Sequence, residues 1–231
     1  MKTIGIIGGM SWESTVTYYR LINEEVGRRM GGFHSAEIIL SSVDFGEIER
    51  MQTTGDWDTA GRALAEEAIT LERAGADLLL LATNTMHKVA GAIERAVSIP
   101  LLHIADATGR AVVAHGIGTV ALLGTRYTME QDFYKGRLAS RYGLETLVPD
   151  ADDRATVDAV IFNELVHGKV TGASKRSYVD IIGRLVKSGA EAVILGCTEI
   201  GMLVGQKDVE VPVFDTTELH AAAAVMAAID T

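Results

Sequence analysis

Short, wholly apolar runs alternate along the chain with longer stretches in which apolar residues recur every three or four positions. The run Leu78–Ala82 contains no polar residue, as a strand buried on both faces of a parallel sheet requires. A helix is predicted to begin at Ser11 or Ser14, where a hydroxyl can cap it, and to end at Gly31-Gly32. The positions predicted for its buried face are Val16, Tyr19, Ile22 and Val26.

The same alternation continues and predicts parallel sheets. Residues Ala36–Val43 are apolar and β-branched, and a second helix is predicted over Asp56–Ala74. Pro100 and Pro212 stand at the starts of short strands, where a missing N–H is tolerated. Strands separated by helices imply right-handed crossovers, so the predicted fold class is α/β with doubly wound parallel sheets.

The chain repeats itself at about half its length. Three segments recur in the same order at offsets of 116, 114 and 112 residues, namely 4–11 as 120–127, 74–85 as 188–199, and 99–103 as 211–215. Such an ordered recurrence indicates an internal duplication. We therefore expect two pseudo-symmetric flavodoxin-like domains, residues 1–103 plus 216–231 and residues 104–215, with the active site in the cleft between them.

Composition and charge narrow the classes of partner. The 231 residues are 48% hydrophobic and 23% charged, as in an ordinary globular protein. With 31 acidic and 21 basic residues the net charge is −10, which disfavours nucleic acid as a partner. No apolar run approaches the roughly 20 residues that span a bilayer, so no membrane partner is expected.

The cysteine content and the first residues bear on the compartment. Cys197 is the single cysteine, so no internal disulfide can form, and a cytoplasmic location is expected. The stretch Met1–Gly9 contains one basic residue and an early Gly-Gly, and it indicates a first β-strand rather than a signal peptide.

Four small polar loops follow predicted strands. They are Gly8–Ser11, Thr83–His87, Gly124–Arg126 and Cys197–Glu199. In open parallel sheets ligands bind beyond the carboxyl ends of the strands, where the N–H groups of helix starts favour anions. These loops suit a carboxylate, and phosphate binding at Gly8-Gly9 stays open. A dinucleotide is disfavoured because no G-x-G-x-x-G pattern can be placed there.

Cys197 and Thr83 occupy equivalent positions in the two repeats, each directly after a predicted strand. A lone cysteine is more often a small buried hydrophobe than a nucleophile. Here, however, a helix start is expected to follow Cys197 and to lower the pKa of its thiol. We therefore predict that Cys197 can act as a base near neutral pH.

Other polar residues have ordinary structural explanations. His87 and His103 lack a second ligand at metal-binding spacing, so a structural role is predicted for both and no metal is expected. Lys169 is expected to lie in a solvated turn. Three acidic residues near helix starts are interpreted as caps, namely Asp106, Glu130 and Asp132.

Four segments carry a resemblance to a known family, and together they extend over nearly the whole chain. They are Gly8–Ser14, Thr83–His87, Leu122–Met129 and Gly196–Gly201. These segments resemble the aspartate/glutamate racemase superfamily, cofactor-independent amino-acid racemases with two duplicated α/β domains. Most of the family has a cysteine directly before Asn-Thr in the second segment, where this chain has Thr83. That threonine resembles the branch of broad-specificity amino-acid and L-aspartate/glutamate racemases.

The resemblance implies racemisation of aspartate or glutamate by two-base α-proton exchange, without pyridoxal phosphate or any other cofactor. It implies that Cys197 is the base on the L face and that Thr83 is the opposite acid or base. The carbanion must then be stabilised by donors oriented around the α-carboxylate. The side chains of Asn84, Thr85 and Thr198 are candidates for this role.

The resemblance also implies further binding residues and a homodimer. It places Met10, Gln52 and Thr125 at the pocket wall and Glu199 beside them in the substrate site. A distal carboxylate calls for a cation. The candidates by position are Arg50, Arg126 and Lys169. Two alternatives stay open: a related isomerase or decarboxylase of a small carboxylic acid that uses the same cysteine, and a non-catalytic carboxylate-binding protein.

Overall fold

The computed structural model describes residues 1–229, which divide into two compact units. Unit 1 comprises Met1–Ile104 and the described residues from His220 onward, and unit 2 comprises Ala105–Leu219. The domain boundaries expected from the sequence stay a prediction, since a compact unit is not by itself an independently folding domain.

Unit 1 is built on a four-stranded parallel sheet. In spatial order its strands are β2 (Ile38–Ser42), β1 (Ile4–Gly8), β3 (Leu78–Leu81) and β4 (Leu101–Leu102). Its helices are α1 (Trp12–Met30), α2 (Phe45–Thr54), α3 (Trp57–Arg73) and α4 (Ala90–Ala96), with a 3-10 helix, Thr85–Val89, before α4.

Unit 2 repeats this arrangement. In spatial order its strands are β6 (Glu145–Leu147), β5 (Thr119–Gly124), β7 (Ala192–Gly196) and β8 (Val213–Asp215). The remaining α-helices are α5 (Ile104–Ala114), α6 (Arg126–Glu130), α7 (Asp132–Tyr142), α8 (Ala151–Asn163), α9 (Gly172–Lys187) and α10 (Thr216–Ile229). Three short 3-10 helices are Leu165–His167, Ile200–Met202 and Gln206–Asp208. No helix in residues 1–229 has the length and apolar character needed to cross a bilayer.

The strand registers support the duplication. The last register pair of β1 and β3 is Ile7 with Leu81, and the equivalent pair of β5 and β7 is Leu123 with Leu195. Both sheets follow the spatial order second, first, third, fourth strand, which is the flavodoxin-like order. The predicted duplicated, doubly wound α/β fold is confirmed.

Both faces of the unit 1 sheet are covered, which explains the uninterrupted apolar runs. On one face Ile4, Ile6, Leu78 and Leu80 pack against α1 and against α10, whose core side chains are Ala221, Ala224, Val225 and Ala228. On the other face Ile7, Leu79 and Leu81 pack against α3. The backbone N–H of Lys2 also donates to the carbonyl of Ala228 at 2.9 Å, so α10 completes the core of the first sheet.

Helix α1 begins at an N-cap as predicted, but its buried face differs from the prediction. Ser11 caps the helix, and Gly31 ends it. Val16 and Tyr19 are each 57% exposed, so their predicted core position is wrong. The buried face is Ser14, Thr15, Tyr18, Ile22 and Val26. Two hydroxyl residues occupy the first buried turn because they bond to the strand ends beneath them.

Helix α2 is absent from the sequence-based prediction, although its cap signals are present. The side chain of Asp44 accepts a hydrogen bond from the N–H of Gly46 at the start of the helix. Gly55 ends the helix in the left-handed conformation that favours glycine. Helix α3 follows at once, and its N-cap is Asp56, as predicted.

Candidate active site

The loop after β1 is tightly folded and uses its own polar groups. The backbone N–H of Gly9 donates to Thr15 Oγ1 at 2.8 Å, so this amide is already bonded inside the protein. Gly9 has a φ of +93°, and a Cβ there would collide with the carbonyl oxygen of Val43. The loop therefore requires glycine at this position and leads directly into Met10, which is 4% exposed.

The first candidate motif, Thr83-Asn84-Thr85, is buried directly after β3. Ser14 at the start of α1 donates its hydroxyl hydrogen to the carbonyl of Ala82 at 3.2 Å. This bond ties the helix to the strand end that carries Thr83. The position of Thr83 is therefore set by the core of unit 1 and not by a free loop.

His87 holds the same strand end from the other side. Its Nε2 accepts a hydrogen bond from the backbone N–H of Ile104 at 3.2 Å, so the ring hydrogen is on Nδ1. That Nδ1–H lies 2.7 Å from the carbonyl oxygen of Thr83 and donates to it. The predicted structural role of His87 is confirmed, because its ring bridges two backbone segments.

Two more buried histidines lie beside His87. The ring centroids of His87 and His103 are 4.5 Å apart, and those of His87 and His220 are 5.8 Å apart. His220 lies 2.8 Å from the carbonyl of Leu102 through Nε2 and 2.8 Å from the hydroxyl of Tyr18 through Nδ1. His220 therefore joins α1 and β4 through a helix that begins in unit 2.

Gln52 and Met10 belong to the same side of unit 1. Gln52 is 4% exposed on α2, and its Nε2 donates to the sulfur of Met86 at 3.0 Å. Met10 and Met86 share one buried cluster with the core of α3. That Gln52 and Met10 line a substrate pocket stays a prediction.

The second candidate motif, Cys197-Thr198-Glu199, is buried directly after β7. One carboxylate oxygen of Glu199 accepts two hydrogen bonds, from the thiol of Cys197 at 2.9 Å and from the hydroxyl of Thr198 at 2.7 Å. Glu199 is only 3% exposed. The motif thus joins a thiol, a hydroxyl and a carboxylate through one oxygen atom.

The predicted lowering of the Cys197 pKa is wrong. Burial raises the pKa of this thiol well above its usual value, and the negative charges of Glu199 and Asp158 raise it further. The helix that follows is the three-residue 3-10 helix Ile200–Met202, too short to present a helix dipole. In the resting protein Cys197 is therefore a protonated thiol that donates to Glu199.

Thr125 begins α6 and lies at the end of β5. Its hydroxyl accepts a hydrogen bond from the N–H of Thr128 at 3.4 Å, and the residue is 6% exposed. The next N–H, that of Arg126, donates to Asp158 at 2.7 Å. Burial raises the pKa of Asp158 above its usual range. That Thr125 contacts the substrate stays a prediction.

The three predicted cations differ in their surroundings. Arg50 forms an ion pair with Glu47 at the surface and is 64% exposed. Arg126 donates to the hydroxyl of Tyr127 at 2.8 Å. Lys169 lies in an exposed segment after the 3-10 helix Leu165–His167, consistent with the predicted turn.

The structure brings together the members of each motif within its own unit. Sequence reasoning missed two residues that act on these motifs. Ser14 reaches the strand end before Thr83, and Asp158 on α8 contributes charge near Cys197. Asp158 carries no local signal, since it is 32 residues from its partner Arg126. Ser14 did carry a local signal, since the sequence already indicated it as a candidate N-cap of the first helix.

Comparison with known proteins identifies the family of the chain. The profile of the Asp/Glu/hydantoin racemase family matches residues 7–224. The chain is 26% identical, over 70% of its length and 69% of the relative, to the broad specificity amino-acid racemase RacX of Bacillus subtilis (strain 168).

Two solved structures share the fold over the full chain. One is a provisionally assigned Asp/Glu racemase from Yersinia pestis, 52% identical, with a TM-score of 0.93 over 99% of this chain and 100% of that one. The other is an aspartate racemase homologue from Pyrococcus horikoshii OT3, 38% identical, with a TM-score of 0.85 over 99% of both chains. The resemblance predicted from the four sequence segments is confirmed. The chain belongs to the Asp/Glu/hydantoin racemase family and is an amino-acid racemase, an isomerase.

Proposed function

We propose that the protein racemises aspartate and glutamate without a cofactor, with Cys197 as the base on the L face and Thr83 as the opposite acid or base. The observation that carries this proposal is the equivalence of the two positions. Cys197 lies two residues after Leu195 of β7, and Thr83 lies two residues after Leu81 of β3. Leu195 and Leu81 occupy equivalent register positions in the two sheets, opposite Leu123 and Ile7. The duplication thus gives each unit one group that can exchange a proton.

Glu199 is the proton acceptor for Cys197 in this proposal. The thiol proton moves to the Glu199 carboxylate along the existing hydrogen bond, which leaves a thiolate and a neutral carboxylic acid. The thiolate then takes the α-proton of the L-amino acid and becomes a thiol again. Thr83 delivers its hydroxyl proton to the other face of the carbanion and recovers a proton from water, and the hydroxide so formed takes the proton from Glu199, which restores the carboxylate. The reverse sequence returns the L-amino acid.

The α-carboxylate needs stabilisation as charge develops beside it. In the proposal this comes from Asn84 and Thr85 in one unit and Thr198 in the other. The names of the Yersinia and Pyrococcus relatives favour dicarboxylic substrates. For the distal carboxylate we propose Arg126 or Lys169, since Arg50 is already paired with Glu47.

The proposed asymmetry of the two groups is tested by α-hydrogen exchange in deuterated water. L- and D-aspartate, then L- and D-glutamate, are incubated separately, and loss of the α-proton signal is followed by NMR. We expect faster exchange from the L form, because the Glu199 carboxylate is placed to take the proton of the Cys197 thiol, whereas an aliphatic hydroxyl such as that of Thr83 is far less acidic than a thiol. Equal rates from both enantiomers would contradict the assignment.

Two variants of Thr83 complete this experiment. Thr83→Cys is expected to retain or improve turnover in both directions, and Thr83→Ala to slow at least one of them. Unchanged rates in Thr83→Ala would mean that water is the second acid and that Thr83 takes no part.

The decarboxylase alternative is tested with a substituted malonate as substrate. Release of CO₂ would support that alternative over racemisation.

We also propose a cytoplasmic homodimer. A reducing compartment suits a chain whose single cysteine is a free thiol. For the dimer contact we propose the exposed stripe of α1, which consists of Trp12, Val16 and Tyr19 at 64%, 57% and 57% exposure. The ion pair of Arg20 and Glu24 borders the stripe, so two copies in antiparallel contact can exchange these charges.

The dimer contact is tested with Val16→Glu. A buried charge in the centre of the contact is expected to weaken dimerisation at least about tenfold, which corresponds to about 1.4 kcal/mol. Sedimentation velocity over a concentration series measures this. Val113→Glu, at an exposed position on α5, is the control and is expected to leave the association unchanged. A monomeric natural protein, or an unchanged Val16→Glu dimer, would contradict the proposal.

A further inference from the structure

A groove in unit 1 lies between the start of α3 and the segment that leads into α4. It has a volume of about 450 Å³, within the range of small-molecule sites. Its lining includes Trp57, Gly61, Lys88 and Ala92. A Cβ at Gly61 would lie 3.2 Å from the Cβ of Ala92, so small residues hold the two helices close beneath the groove.

The groove carries positive charge in an acidic protein. Arg62, Lys88 and Arg95 line it together with a single carboxylate, that of Asp58. Over residues 1–229, none of these three cations lies within 4.0 Å of a carboxylate oxygen. The chain as a whole has a net charge of −10, so this concentration of cations runs against the overall balance, and Arg62 also acts through its charge on a carboxylate outside the groove lining, that of Asp56.

The three cations are arranged on different walls. The ammonium of Lys88 lies 3.8 Å from the centroid of the Trp57 ring, and burial lowers the pKa of this lysine. Arg62 donates to the hydroxyl of Thr59 at 2.8 Å. The guanidinium of Arg95 lies beside Gly91, 3.2 Å from where a Cβ would be. Each cation thus retains donors for a ligand.

This groove is separate from the Thr83 motif in its chemistry. His87 donates to the carbonyl of Thr83 and accepts from Ile104, whereas Lys88, the next residue, lies against Trp57. The 3-10 helix therefore directs His87 towards the Thr83 motif and Lys88 towards the groove. Nothing in the racemisation proposed above uses Trp57 or the three cations.

We propose that this groove binds a small organic or inorganic anion that carries at least two negative charges, of the phosphate or polycarboxylate class. The two guanidinium groups and the ammonium group offer several N–H donors, so an anion with several oxygen atoms can accept hydrogen bonds from all three side chains. A singly charged carboxylate neutralises only one of them. The indole of Trp57 forms an apolar wall of the groove. It lies against the ammonium of Lys88, which such a ligand would contact.

The tryptophan itself provides the readout. The chain has two tryptophans, so Trp12→Phe leaves Trp57 as the single indole. Pyrophosphate and citrate are titrated separately at constant ionic strength, because salt screens these contacts. We expect a saturable change in Trp57 fluorescence with a dissociation constant below about 1 mM for at least one of them. The stronger of the two identifies phosphate or carboxylate as the preferred class, and acetate is expected to give no saturable change.

Matched variants separate a built site from general charge attraction. Lys88→Gln and Arg95→Gln, each in the Trp12→Phe background, are expected to weaken binding at least about tenfold. Arg73→Gln removes the same charge at the exposed far end of α3 and is expected to leave binding unchanged. Circular dichroism melting confirms that each variant is folded. No saturable change for either polyanion, or equal weakening by Arg73→Gln, would overturn the proposal.

Discussion

Replacement of Cys197 by serine is expected to lower α-proton exchange from L-aspartate at least about 10³-fold, within the range for loss of a general base. A serine hydroxyl has nearly the size of the thiol and can still donate to Glu199. Its much higher pKa, however, prevents it from forming the anion that takes the α-proton. Exchange is measured by NMR in deuterated water, and binding of L-aspartate by calorimetry.

The same variant separates catalysis from binding. The pocket is not emptied, so the affinity for aspartate is expected to change by less than about tenfold. Thermal melting followed by circular dichroism shows whether unit 2 is intact. Full activity of Cys197→Ser would mean that another residue is the base on the L face.

Replacement of Glu199 by glutamine is expected to slow exchange from L-aspartate about 10²-fold, because the thiol loses its proton acceptor. The same substitution is expected to increase the ionisation of the Cys197 thiol, although it slows exchange. Burial is the first cause of the raised Cys197 pKa, and the Glu199 carboxylate is the second. Removing that negative charge lowers the pKa of Cys197 towards its usual value, so more thiolate forms at a given pH.

The two effects are read out separately because Cys197 is the single cysteine of the chain. Alkylation by iodoacetamide, followed against pH, reports its ionisation alone. In the natural protein, reaction is expected only at alkaline pH, and in Glu199→Gln the profile shifts to lower pH. Glu210→Gln removes the same charge at an exposed position of unit 2 and is the control. Faster alkylation with unchanged racemisation would show that Glu199 sets the pKa but does not accept the proton.

Features that depend on local pattern were predictable from the sequence. The strand at Leu78–Leu81 follows from its uninterrupted apolar run, because both faces of the sheet are covered. Helix α3 follows from the Asp56 cap and from apolar periodicity. The duplication follows from the ordered repeat, and it placed Thr83 and Cys197 at equivalent strand ends.

Features that depend on distant contacts were not predictable. Ser14 and Thr15 occupy the buried face of α1 because their hydroxyls bond to Ala82 and Gly9, and a hydrophobicity pattern counts them as polar. For the same reason Val16 was placed in the core and is exposed. The Cys197 thiol was assigned a lowered pKa because local sequence suggested a helix dipole. Burial of the thiol in the folded core raises its pKa instead, and the charges of Glu199 and of Asp158, the latter brought close only by the fold, raise it further.

The packing of α10 on the first sheet has a consequence for the order in which the protein forms on the ribosome. Unit 2 is contiguous in sequence, so all of its strands have been translated once Leu219 has been added. The first sheet lacks the helix that covers one face until Ala221–Ala228 follow. Although its strands are made first, the first sheet therefore acquires its complete core only after the whole of unit 2 has been translated.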